Sequence, residues 1–284
     1  MLPQSGELKV NGATLYYETR GKPEYPALLL ISTGNGTAVF FEPLALILSS
    51  NFYVITFDRR GFYRSTVMSH ESFSGDILAK NAEDCACIIE TLVPDRSAFV
   101  FSSSGSTTIA LDLLWIKPHL VAKVVLHEPI LTAMLSSSDR IGLDDLLTKT
   151  TRTYQKSGSA AANRLLMPAL SSIADIALLK TAPILKKLVS LPHSPTNVYF
   201  EHEIEAISQY HLDLESLQAR KDQICLGRGD MSSSPLAISP VTRLSSLLNS
   251  NLNTFPGGHH GYITHERSFC EKLAHVLKDR KEGL

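Results

Sequence analysis

Short apolar runs rich in β-branched residues alternate along this chain with stretches whose apolar positions recur every three or four residues. That alternation predicts a mostly parallel sheet covered by helices, because a strand buried on both faces reads as a continuous apolar run and a covering helix shows one apolar stripe. Residues 8–10 and 13–19 read as an opening antiparallel pair joined at Asn11-Gly12, a favoured hairpin dipeptide. Further strands are expected at 27–32, 52–57, 98–102, 122–127, 223–227 and 252–255. The expected fold is therefore an α/β architecture with a doubly wound, eight-stranded, mostly parallel sheet.

Helices fill the gaps. Residues 41–49 carry Pro43 in the first turn, where a missing N–H costs nothing. Over 76–92 the side chains of Leu78, Ala82, Cys85, Ile88, Ile89 and Leu92 fall on one face, so Cys85 and Cys87 are read as packing rather than chemistry. Residues 131–221 are patterned as helices with breaks at Ser157-Gly158, Pro168, Pro183, Pro192 and Pro195. We read 1–130 and 222–284 as a core, and 131–221 as a helical cap inserted into it.

Composition narrows the class. A hydrophobic share of 44% against 19% charged residues suits a folded domain with a large core. The net charge of −1, from 27 basic and 28 acidic residues, provides no field for nucleic acid. Met1 to Asn11 has no secretory pattern, and no apolar run approaches a membrane span. The four cysteines lack metal or disulfide spacing, as expected of reduced thiols in a cytoplasmic protein. His193, His202 and His211 are too dispersed for a zinc site, and Glu201, Glu203 and Glu205 read as a solvated face. No phosphate loop or dinucleotide fingerprint follows any strand, so no cofactor is expected. A homodimer is compatible with the sequence, which does not determine oligomeric state.

The chemistry concentrates in a few segments. Ala98-Phe99-Val100-Phe101 leads through Ser102-Ser103-Ser104-Gly105-Ser106 into a helix bearing Ile109, Ala110, Leu113 and Leu114. A strand–turn–helix of this kind can expose a serine at its apex, with the next backbone N–H aimed at a developing oxyanion. The residues two before and two after that serine must be small. Centring on Ser104 places Ser102 and Ser106 there, whereas Ser103 would place Phe101 and Ser102 would place Val100, so Ser104 is the register that fits. The literal G-x-S-x-G pattern is absent, both glycines being serines. Elsewhere, Ser32-Thr33-Gly34-Asn35-Gly36 follows the third strand, and Phe57-Asp58-Arg59-Arg60-Gly61-Phe62-Tyr63-Arg64-Ser65 follows the fourth.

Together these segments resemble the α/β-hydrolase superfamily over essentially the whole chain. The run 28–36 looks like the family's oxyanion loop, with Ser32-Thr33 where His-Gly is frequent, and 57–65 is similar to its D-x-R-G-x-x-x-S turn. The resemblance implies mainly structural roles for Asp58 and Arg60, and oxyanion N–H donors at Gly105 and near Gly34. It also implies a general base on the glycine-rich loop Pro256-Gly257-Gly258-His259-His260-Gly261. His259 fits that position, with His260 as the alternate. The acid is expected after the seventh strand at Asp230, which would orient His259, and Glu128 after the sixth strand is the alternative acid.

The resulting expectation is a serine hydrolase acting through an acyl-enzyme on an ester, lactone or thioester of a small apolar carbonyl substrate. Leu165, Leu166, Met167, Ile173, Ile176, Leu178 and Leu179 suggest an apolar pocket under the cap. Two alternatives share the fold: a tailoring enzyme catalysing cyclisation, elimination or carbon–carbon cleavage, and a ligand-binding receptor.

Overall fold

A computed structural model describes residues 2–191 and 198–279. Pro192, His193 and Pro195 lie outside the described residues. All eight expected strands are present: β1 (Gln4–Val10), β2 (Ala13–Arg20), β3 (Ala27–Ile31), β4 (Tyr53–Phe57), β6 (Ala98–Ser103), β7 (Val121–His127), β8 (Ile224–Gly229) and β9 (Leu252–Phe255). A ninth, the two-residue β5 (Thr66–Val67), pairs with the start of β2 and is too short for any periodicity to announce it. The order is β1-β2-β4-β3-β6-β7-β8-β9, with the β1–β2 and β2–β4 pairs antiparallel and every pair from β4 to β9 parallel.

Period-two alternation divides the apolar residues between two layers. Leu29, Ile31, Ile55, Phe57 and Val100 face α2 (Ile77–Leu92), α3 (Ser106–Ile116) and α9 (Pro235–Leu248). Leu28, Leu30, Val54, Phe101 and Val125 face α1 (Glu42–Leu48) and α11 (Glu266–Lys278). Asp76 caps α2 by accepting the N–H groups of Leu78 and Ala79. Cys85 is buried in that layer.

The intervening segment holds α4 (Ser137–Leu170), α5 (Ile173–Thr181), α6 (Ile184–Val189), α7 (Ile204–Ser208) and α8 (Leu214–Ala219), and α10 (Gly261–Thr264) follows the last strand. The expected break at Gly158 is a kink inside α4, where φ is 77°. Pro183 starts α6 as expected. Pro168 does not break its helix, and α4 continues through it to Leu170.

One surface expectation fails in this segment. Glu201 and Glu205 are exposed, but Glu203 is 1% exposed and paired with Arg59, itself 1% exposed. The reason is local: residues 199–203 form a π-helical turn, which rotates Glu203 out of the α-helical register and into the protein. Among the described residues, no helix is long and apolar enough to cross a membrane.

Candidate active site

Ser104 caps β6 with φ at 62°, a left-handed conformation rare for a residue with a Cβ. The strain, about 1–2 kcal/mol, is held by the surroundings. The Ser104 N–H donates to the carbonyl of His127 on the adjacent strand, and its own carbonyl accepts from Thr107 N and Thr107 Oγ1. Both flanking serine hydroxyls reach backbone carbonyls. Ser106 Oγ donates to the Ser103 carbonyl at 2.9 Å, and Ser102 Oγ lies 3.5 Å from the Val125 carbonyl. Gly105 is equally constrained, since a Cβ there would lie 2.7 Å from Ile207 Cδ1.

His259 stands on the loop between β9 and α10, with Nε2 2.9 Å from Ser104 Oγ. Its Nδ1 lies 2.8 Å from Oε2 of Glu128. The expectation that Asp230 would meet His259 is therefore corrected. Two features of the backbone explain the difference. Glu128 follows β7 with φ at 45°, a turn that brings its side chain across to β8, where Gly229 N–H donates to Oε1 at 2.7 Å. In addition, β8 runs to Gly229, beyond its expected end at residue 227, and carries Asp230 to the exposed rim, where Oδ1 accepts the N–H of Gly257 at 2.8 Å. Asp230 thus braces the start of the histidine loop.

Burial pushes the Glu128 carboxyl up, but the hydrogen bond from His259 and the nearby imidazoles prevail and hold it at about 2. It is an anion with both oxygens engaged, suited to fixing the Nδ1–H tautomer of His259 and leaving Nε2 to face the serine.

A second serine–histidine contact lies beneath the first. Ser103 Oγ is 2.9 Å from Nδ1 of His127, and both residues are fully buried. His127 is walled by Phe101, Phe255 and Phe269. Burial lowers this imidazole to about 4, so it packs as a neutral side chain.

The loop after β3 borders the same space. Gly34 lines it beside Ser104, and a Cβ on Gly34 would come within 3.0 Å of the Tyr199 ring. Gly105 precedes the first turn of α3, whose N–H groups have no intrahelical acceptor. Arg59 ties this region together: one guanidinium nitrogen donates to the Thr33 carbonyl at 2.7 Å, and another bonds Glu203. Asp58 accepts from Thr37 Oγ1, Ala38 N and Arg64, and Arg60 grips Asp84 through two nitrogens, so both anchor the turn after β4.

Ser104, His259 and His260 open onto a cavity of about 350 Å³. Phe40, Phe62, Leu166, Met167, Leu179 and Phe200 supply much of its apolar wall. Of the apolar residues expected there, Leu165, Ile173 and Leu178 instead point outward, at 41%, 89% and 41% exposure. Sequence reasoning also missed Asp175, a buried acid on α5 that bonds His260. Its spacing from Ser172 reads as a helix cap, and Ser172 Oγ does accept the Asp175 N–H, so its local role concealed the distant one.

No family model matches the chain. The uncharacterized hydrolase YraK of Bacillus subtilis (strain 168) is 28% identical over 297 residues, covering 99% of each chain. Among solved structures, a hydrolase from Pseudomonas aeruginosa PA01 superposes with a TM-score of 0.74 at 18% identity, over 97% of this chain and 98% of that one. A thermophilic esterase from Thermogutta terrifontis gives 0.73 at 15% identity, over 97% and 98%. The sheet order, the helices on both of its faces and these likenesses agree. The chain has the α/β-hydrolase fold and is similar over nearly its whole length to a curated hydrolase.

Proposed function

We propose that this protein is a serine hydrolase that cleaves an ester, lactone or thioester with an apolar body, through Ser104, His259 and Glu128. The observation that carries this reading is the unbroken contact from Ser104 Oγ to His259 Nε2 at 2.9 Å and from His259 Nδ1 to the buried Glu128 at 2.8 Å. His259 takes the Ser104 proton as the hydroxyl oxygen attacks the substrate carbonyl, and Glu128 stabilises the imidazolium that forms. The tetrahedral oxyanion is met by the N–H groups of Gly105 and Gly34. His259 then protonates the departing alcohol or thiol, leaving an acyl group on Ser104. Water, deprotonated by His259, attacks that acyl group and releases the acid.

Residues 131–221 act as a cap over the site in this reading. Support comes from Leu166, Met167, Leu179 and Phe200, which lie in that segment and line the cavity above Ser104. An apolar wall of this size suits a substrate whose acyl or alkyl part carries the binding energy. Activity-based labelling tests the proposal: a fluorophosphonate should modify the wild type and leave Ser104→Ala unmodified, and hydrolysis of a panel of apolar esters should disappear in the same variant. Equal labelling of both proteins, or ester hydrolysis that survives Ser104→Ala, would overturn it.

A further inference from the structure

The cavity contains a second imidazole that the proposed triad does not use. His260 lines the same wall as His259, and the two ring centroids are 5.2 Å apart. Nδ1 of His260 lies 3.2 Å from Oδ2 of Asp175 and 3.1 Å from Oγ of Ser171. The same carboxylate oxygen accepts the backbone N–H of His260 at 3.2 Å. Asp175 is fully buried and Ser171 is 5% exposed, so this clamp is shielded from water.

The clamp fixes a tautomer. An ionised carboxylate can only accept, so the hydrogen it receives must sit on Nδ1, and Nε2 of the neutral ring is left with a lone pair. Charge states agree. Burial lowers the His260 imidazole below its ordinary range. Burial raises the Asp175 carboxyl, but the hydrogen bond from His260 outweighs it and keeps the acid ionised. Nε2, on the opposite edge of the ring from the clamp, has no hydrogen-bond partner among the described residues. The His260 side chain is 13% exposed and lines the cavity.

We propose that His260 is a specificity-determining residue that accepts a hydrogen bond from a hydroxyl group on the substrate. The preferred substrate is then a hydroxylated apolar ester or lactone, with an alcohol or phenol O–H a few bonds from the scissile carbonyl. A group at that place that can only accept meets an opposing lone pair and is rejected. The proposal rests on the reading of Ser104 and His259 as the reacting pair, and it assigns the polarity of the substrate they receive. Asp175 and Ser171 are positioning residues, because they act through the orientation of His260.

The test uses three matched aryl esters that carry a hydroxyl, a methoxy group or hydrogen at one ring position. Wild type should favour the hydroxyl ester over the methoxy ester in kcat/KM by about tenfold or more, since a site built around one hydroxyl discriminates strongly against its absence. His260→Leu should bring that ratio to about one. Asp175→Leu, which removes the acceptor that holds the hydrogen on Nδ1, should bring the ratio towards one, whereas Asp175→Asn keeps an oxygen that can accept from both N–H groups and should retain most of the preference. Loss of a purely structural contact would lower all three rates and leave their ratio unchanged. Should His260→Leu fail to fold, His260→Gln serves, because its amide both donates and accepts and should bind the two substituted esters alike.

Calorimetric binding of non-hydrolysable amide analogues to Ser104→Ala reads the same preference without turnover. This separates the proposal from the hydrolase reading, which fails independently if fluorophosphonate does not label Ser104. A hydroxyl preference that persists at full size in His260→Leu or His260→Gln, or a Ser104→Ala protein that binds all three analogues equally, would overturn the assignment.

Discussion

The carboxylate of Glu128 and the imidazole of His259 are 131 residues apart in sequence and 2.8 Å apart in space. The contact is buried on both sides, with 0% and 3% of the side chains exposed. Asp230 instead holds the backbone of Gly257 from the rim of the sheet. The two acids therefore do different work on one loop: Glu128 faces the His259 ring, and Asp230 fixes the peptide that leads to it.

Glu128→Gln should lower kcat/KM by on the order of ten-thousandfold, the loss expected when an orienting carboxylate becomes an amide and the histidine takes the wrong tautomer. Asp230→Asn should cost less than about tenfold, because an exposed amide oxygen can still accept from Gly257. Steady-state kinetics on one ester compares the two directly. Reversed magnitudes would return the acid's role to Asp230.

Ser104 and Ser103 should separate function from stability. Ser103→Ala removes the partner of a fully buried imidazole nitrogen and should destabilise the protein by about 1–3 kcal/mol while fluorophosphonate labelling persists. Replacement of Ser104 by glycine should give a protein more stable than Ser104→Ala by about 1 kcal/mol, because φ of 62° suits a residue without a Cβ. Thermal denaturation of the three variants, followed by labelling of Ser103→Ala, tests both statements.

Acid should weaken the fold in two successive windows. His127 drops from an ordinary 6.5 to about 4, so the unfolded chain binds a proton that the native state refuses, and stability falls as pH descends between those values. Glu128, held at about 2 against 4.5, extends the loss into the range below. His127→Gln keeps a partner for Ser103 and does not titrate. Its melting temperature should therefore change less than that of the wild type between pH 7 and 4, and parallel curves would count against His127 as the source.

The buried Arg59–Glu203 pair should behave as a unit. Removing one charge, as in Glu203→Gln or Arg59→Met, leaves the other desolvated and alone, at a cost of about 3–5 kcal/mol. The double variant Arg59→Met/Glu203→Leu should recover most of that loss in denaturant unfolding. It should not recover activity, because the Thr33 carbonyl beside Gly34 still lacks its guanidinium donor.

How much of this was legible in the sequence depends on how far each feature reaches. Strand positions, the helix over 76–92, the kink at Gly158 and the tight turn at Ser104 follow from periodicity, turn residues and side-chain size within a few residues, and these local terms survive folding unchanged. The nearness of His259 to Ser104 was also foreseen, since chain order in this architecture puts both loops at the carboxyl ends of parallel strands. What only the tertiary structure decided is which charges meet. Glu128 rather than Asp230 reaches His259 because of a left-handed backbone after β7 and the length of β8. Glu203 reaches Arg59 through a π-helical turn, and Asp175 reaches His260 from a different element. A buried carboxylate must find a partner, but which partner it finds is set by distances between segments far apart in sequence, to which no local pattern is tied.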